Sequence, residues 1–143
     1  MLVDNNHNIL AVSDCIDGNH HDSFEIIQNT EEMIKSMDKQ GIDYKLSHLN
    51  ADAGFDVKAF SEFIEKHKMT ANIKQNKRNT KKKEQECRYM SDYIYQFRFK
   101  IEVVFAWMDS YKRLLVRFEY LERNFKAWLL LAAALINYRH IFN

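Results

Sequence analysis

Residues 44–74 read YKLSHLNADAGFDVKAFSEFIEKHKMTANIK. The run from about Tyr44 to Ala51 suits a strand, and it stops at the carboxylate of Asp52. From Val57 to Lys68 the chain then places Val57, Phe60 and Ile64 at helical spacing, and MTANIK (residues 69–74) suits a second short strand. Strand, helix and strand joined by short connections form a βαβ unit, so at least one strand pair is expected to be parallel. Ligands of open α/β sheets bind at the carboxyl ends of strands, which makes Asp52 a candidate site residue. The plainer alternative is a turn aspartate serving its own backbone. Gly54 is expected to let the backbone turn sharply beside it.

Upstream, MLVDNNHNILAVSDCI (residues 1–16) reads as two apolar stretches around the polar turn Asp4–Asn8, a hairpin pattern. A helix is expected from Asp22, with Asp22 or Ser23 as cap and Glu25 at capping-box spacing from Asp22. Phe24, Ile27, Ile34 and Met37 fall on one face of it, and Gly41 is its expected stop.

Downstream, KQNKRNTKKK (residues 74–83) holds six basic residues and no acidic one, a pattern of solvated loops and of nucleic-acid contacts. The remainder is aromatic and helical: one helix from about Ser91 to Met108, a turn around Leu115–Phe118, and a closing helix from about Leu121 to Tyr138. Tyr95, Arg98 and Glu102 lie three and four residues apart, hence on one stripe of the first helix, among Phe97, Ile101, Val104 and Phe105. An exposed Arg98–Glu102 pair would contribute only a few tenths of a kcal/mol. Trp107, Phe105 and Met108 read as core.

A chain of 143 residues with a net charge of +1 is one domain's worth, with enough apolar content for a single core. Cys15 and Cys87 have neither zinc-ribbon nor disulfide-framework spacing. Adjacent histidines in NHHD (residues 19–22) fit helix-start polarity better than a metal site. The N-terminus does not read as a signal peptide, and the apolar run Ala127–Ile136 falls short of the roughly 20 residues that span a bilayer, so a cytoplasmic protein without a membrane partner is expected.

NADAGFD, then ANIKQNKRN, then a Tyr-x-x-Arg-x-x-x-Glu helix running on as IEVVFAWMDSYKRLLVRFE and RNFKAWLLLAAAL, with GNHHDSFEI upstream, occur here in order. In that order they resemble the DDE transposases of bacterial insertion sequences, of the insertion-sequence four/five class. The resemblance covers essentially the whole chain. It implies a truncated RNase H-like α/β fold: an N-terminal hairpin and a βαβ unit, then a mostly α-helical half. Residues 1–73 would supply sheet and helices, 74–90 a basic loop and 91–143 the helical part of a partial catalytic domain. It further implies Mg2+-dependent cleavage and strand transfer at insertion-sequence ends by a two-metal site. Asp52 matches the second metal carboxylate and Glu102 the third. Tyr95 and Arg98 match a helix signature that contacts DNA, with Lys77, Arg78 and Lys112 as further DNA contacts.

The match has gaps. The first carboxylate has no counterpart, and Asp4, Asp14 and Asp17 are poor substitutes. Two dications about 4 Å apart repel by roughly 17 kcal/mol at an effective dielectric of about 20, so the isolated chain is expected to be inactive. Where part of the family has a lysine seven residues after the glutamate, Asp109 stands here, with Lys112 beyond it; Val103–Val104 replaces more polar residues. The expected partners are DNA and a separately made upstream half or an intact transposase. The alternative functions are a non-catalytic DNA- or transposase-binding remnant that dampens transposition, and a small metal-dependent nuclease. An unpaired strand edge is expected to leave the isolated chain poorly soluble or oligomeric.

Overall fold

The computed structural model describes residues 1–15, 25–76, 90–116 and 118–142. The chain divides into two compact units. One draws on residues 1–15, 29–42 and 99–142, the other on 25–28, 43–76 and 90–98.

The first unit opens with the expected hairpin, β1 (Leu2–Val3) antiparallel to β2 (Ile9–Ala11). Its turn is built by Asp4, whose carboxylate accepts the backbone N–H groups of Asn6 and Asn8, each at 2.8 Å, and the Asn8 side-chain amide, also at 2.8 Å. His7 closes the turn at φ 64°, in the left-handed region that His tolerates better than most residues. Asn137 then clamps the second strand. Its side chain donates to the Ile9 carbonyl and accepts from the Ile9 N–H, both at 2.9 Å, so an edge strand finds partners on a helix.

That helix is α6 (Glu122–Phe142), four residues longer than expected at its end. The longest helix of the βαβ-free half is thus the one that covers the hairpin. With α4 (Phe99–Asp109) it encloses a core of Ile9, Val104, Met108, Ala132, Ala133 and Ile136. Small alanines on α6 let the backbones approach while Val104, fully buried, fills the gap. α5 (Lys112–Leu115) follows a turn at Ser110–Tyr111. Met108 and half-buried Trp107 are core as expected, but Phe105 is 48 % exposed and packs no core. α1 (Ile26–Gln40) buries Thr30, Met33, Ile34 and Met37. It ends at Gly41 as the sequence predicts: φ is 69°, the Gly41 N–H reaches Asp38 O and the Ile42 N–H reaches Met37 O. The expected caps Asp22 and Ser23, together with Phe24, Asp17 and NHHD, lie outside the described residues.

In the second unit β3 (His48–Ala51) and β4 (Thr70–Ile73) are parallel and in register, joined through α2 (Lys58–Lys66), so the βαβ unit forms. α2 buries Phe60 and Ile64, while Val57 sits at its cap, exposed. β3 is shorter than the run Tyr44–Ala51. Leu46 adopts φ 62° and is 87 % exposed, because its N–H is drawn to the Lys68 carbonyl and the chain must turn before pairing begins. The helix expected from Ser91 to Met108 is also interrupted. α3 (Asp92–Tyr95) gives way to a tight 3-10 turn, Gln96–Arg98, before α4 begins. The described strands form two separate two-stranded sheets.

Candidate functional site at the end of the parallel strands

Asp52 is the first residue beyond β3, with extended backbone (φ −68°, ψ 162°), and it opens the 3-10 turn Ala53–Phe55. Its carbonyl accepts the Phe55 N–H at 2.9 Å, but its carboxylate makes no capping bond to that turn. The backbone therefore does not consume the side chain, contrary to the plainer reading of a turn aspartate. Instead the carboxylate lies 2.6 Å from an Arg98 guanidinium nitrogen. Gly54 does not need the freedom expected of it: its φ is not positive, and a Cβ there would meet nothing within 4 Å.

Arg98 is itself held from a second side. Its guanidinium carbon lies 5.5 Å from the centre of the Tyr95 ring, and the Lys74 ammonium lies 6.0 Å from that same centre. Burial raises the Tyr95 phenol above its usual value; Arg98 opposes the shift and Asp52 reinforces it. The phenol is thus a proton donor at any physiological pH. One carboxylate, two cations and one phenol share this edge of the unit, an arrangement able to receive an anionic group or a metal ion with its anionic ligand.

The ion pair is too exposed to set this geometry. Asp52 keeps 61 % of its side-chain surface in solvent, and pairs of that kind contribute at most about 1 kcal/mol. A buried amide ladder sets it. Asn50 and Asn72 face each other across β3 and β4. Asn72 is fully buried; it donates to Asn50 Oδ1 at 2.8 Å and to the Ser91 carbonyl at 3.2 Å, and it accepts the Ser91 N–H at 2.8 Å. Asn50 in turn donates to the Ile94 carbonyl at 3.0 Å, and Ser91 Oγ caps the helix by accepting the Ile94 N–H. Three polar side chains thereby fix the start of α3 on the strands and aim the Tyr95–Arg98 turn at Asp52. Sequence reading missed all three. Their signal was two asparagines inside strands otherwise apolar, LNA and ANI, where asparagine is disfavoured.

Glu102 is exposed in the first turn of α4, within the other unit. Asp109 ends that helix, and Lys112 begins the next one beyond the Ser110–Tyr111 turn, so Lys112 does not continue the helical spacing from Glu102. Lys77 and Arg78 lie outside the described residues. Asp4 has both oxygens committed to its own turn, and Asp14 pairs with Lys126. Among the described residues, no group of three or more His, Cys, Asp and Glu side chains is placed to hold a metal ion.

The fold and this edge define an α/β protein that offers a carboxylate and cationic side chains where parallel strands end. A family profile described as transposase DDE domain matches residues 1–137, and the chain belongs to that family. Members act in DNA transposition, which implies DNA binding, and normally use a divalent metal. Comparison with curated proteins and with solved structures gives no match. Among the described residues, no helix is long and apolar enough to cross a membrane.

Proposed function

We propose that the chain is part of the catalytic domain of an insertion-sequence transposase with an RNase H-like fold, working on DNA in the cytoplasm. Asp52 and Glu102 are its second and third metal carboxylates, a role taken from family membership and from each residue's place within its own unit. The observation that carries the proposal is the guanidinium of Arg98 at 2.6 Å from Asp52: a cation already occupies the carboxylate at a strand's end. Hard oxygen donors that are solvent-accessible suit Mg2+, which keeps several waters. When bound, the metal supplies Lewis-acid activation of the attacking oxygen and stabilises the leaving oxygen of a phosphodiester.

The chain's own residues bind and orient. Arg98 has the fork geometry to take two phosphate oxygens, and Lys74 adds a second positive charge beside the Tyr95 ring. Phosphate arriving at Arg98 competes with Asp52 for it, which frees the carboxylate as the DNA docks. Protonated Tyr95 donates and takes up no proton. Residues 1–143 supply two of the family's three carboxylates in this assignment, and cleavage requires the third as well. A DNA-binding remnant that dampens transposition is the second reading, favoured by the fact that Lys74 and Arg98 can hold phosphate without a metal.

Mn2+ titration followed by NMR tests the metal role. Paramagnetic broadening should reach the Ala53–Phe55 amides first and vanish in Asp52→Asn. Broadening that ignores this substitution would rule Asp52 out as a ligand. Arg98→Ala should weaken duplex DNA binding by about 10-fold or more, as loss of a charged hydrogen bond does.

A further inference from the structure

Helix α6 spends one side on the core of its own unit, through Ala132, Ala133 and Ile136. At 3.6 residues per turn, the side turned away from that core carries Asn124, Trp128, Leu131, Leu135, Tyr138 and Phe142. The last four are 42–67 % exposed, and the Tyr138 and Phe142 rings already pack on one another with centroids 4.5 Å apart. From Ala127 to Tyr138 the helix holds no charged residue. A helix that is apolar all round belongs in an interior, yet this side of α6 faces solvent.

The spacing says what covers it. Positions 124, 128, 131, 135, 138 and 142 are separated by 4, 3, 4, 3 and 4 residues, the heptad spacing of a helix pair. That series reads the same from either end, so the stripe turned through a half-rotation matches itself. Leu131 then meets the partner's Leu135, and Tyr138 meets the partner's Trp128. Self-complementarity of this kind is what a two-fold interface requires. Ala127, Ala134 and Ile141 recur every seven residues along the margin, where helix pairs usually carry charge, and so widen the apolar seam.

The exposed side chains of stripe and margin present roughly 600–700 Å2 on each copy, so a pair would bury about 1,300 Å2, within the ~1,200–2,000 Å2 of stable interfaces. A polar rim stands at one end. The Arg113 guanidinium lies 4.7 Å from the centre of the Trp128 ring, and Glu119 accepts the indole N–H at 3.2 Å. A lipid surface is the poorer match, because a helix lying in a membrane interface keeps one strongly charged face and α6 has none.

We propose that α6 is a dimer seam, through which two copies of this chain pair antiparallel by way of Leu131, Leu135, Tyr138 and Phe142, about a two-fold axis level with Ala133. The seam belongs wholly to the first unit and does not depend on the DNA reading.

Sedimentation velocity of the full chain from about 1 to 100 μM tests it. A dimer of twice 17.2 kDa is expected, with a Kd in the micromolar range or tighter. Leu130 and Leu131 are each 49 % exposed, but only Leu131 lies on the stripe. Leu131→Glu should therefore raise the Kd by about 100-fold or more, since the two-fold axis makes the substitution count twice, while Leu130→Glu leaves it unchanged. Far-UV circular dichroism should not change in either variant, because both side chains are already solvent-facing in the single chain. The antiparallel register has its own check. Leu131→Glu and Leu135→Lys, each monomeric alone, should pair when mixed, because the register sets position 131 against the partner's position 135. A monomer throughout the concentration range would leave this face to a different protein and overturn the proposal. So would association that Leu131→Glu leaves intact, or that Leu130→Glu abolishes equally. A mixture that stays monomeric would overturn the antiparallel pairing.

Discussion

At the scale of single residues, the two features most visible in NADAGFD have different fates. Asp52 stands at the end of a strand with its carboxylate paired to Arg98 and not to its own turn. Gly54 looked like the hinge that makes this possible, yet its backbone is ordinary and the space around it open. The prediction is therefore that Gly54→Ala is tolerated. Restricting the unfolded chain at a compatible position should stabilise the protein by about 0.4–1 kcal/mol in urea denaturation. A loss of more than 1 kcal/mol would mean that the turn does need a glycine. Unchanged stability with weakened duplex binding would instead mean that a ligand approaches the backbone closely there.

At the scale of elements, what was legible was whatever period and punctuation encode. Two apolar stretches around the polar turn Asp4–Asn8 gave the hairpin, and the spacing of Phe60 and Ile64 gave α2 between two strands. Gly41 gave the end of α1 through a left-handed residue with both of its characteristic hydrogen bonds. The break at Gln96–Arg98 was not legible, because no proline or glycine marks it and the stripe Tyr95–Arg98–Glu102 satisfies a continuous helix equally well. Tertiary bonds made elsewhere decide it: Asn72 and Asn50 hold the Ser91–Ile94 turn on the strands. If that is the cause, Asn72→Ala should do more than leave a small hole. It strands the Ser91 N–H and Asn50 Oδ1 without partners, at about 1–3 kcal/mol per buried group. We expect a loss of about 2–3 kcal/mol, with faster amide exchange along α3 and β4, and duplex binding weakened in parallel with Arg98→Ala. A substitution that costs stability but leaves DNA affinity intact would show that the ladder is structural support only.

At the scale of the whole molecule, the charge balance read from composition says almost nothing, since a net charge of +1 hides how the groups are placed. Clamping of β2 by Asn137 could not be read either, as the two residues are 128 positions apart. It also pairs the Ile9 N–H and carbonyl at this edge of the hairpin. Placement does fix the response to acid. In the first unit the pKa of His7 is lowered by burial and its cationic neighbours, and that of Asp14 by its hydrogen bond from Lys126, which outweighs the opposing effect of burial. For both groups the unfolded chain binds its proton more readily than the folded one, so stability rises with pH in each window. The His7 contribution starts to fall as pH drops below its ordinary value of 6.5 and is lost once pH passes its folded value. The Asp14 contribution is intact above 3.8 and is lost below it; both partners are substantially exposed, so it amounts to at most about 1 kcal/mol. Urea midpoints measured from pH 8 to pH 3 should therefore fall in two steps. His7→Asn should erase the upper step, since asparagine accepts a left-handed φ without titrating, and Asp14→Asn should erase the lower. An upper step indifferent to His7→Asn would place the acid-sensitive group elsewhere.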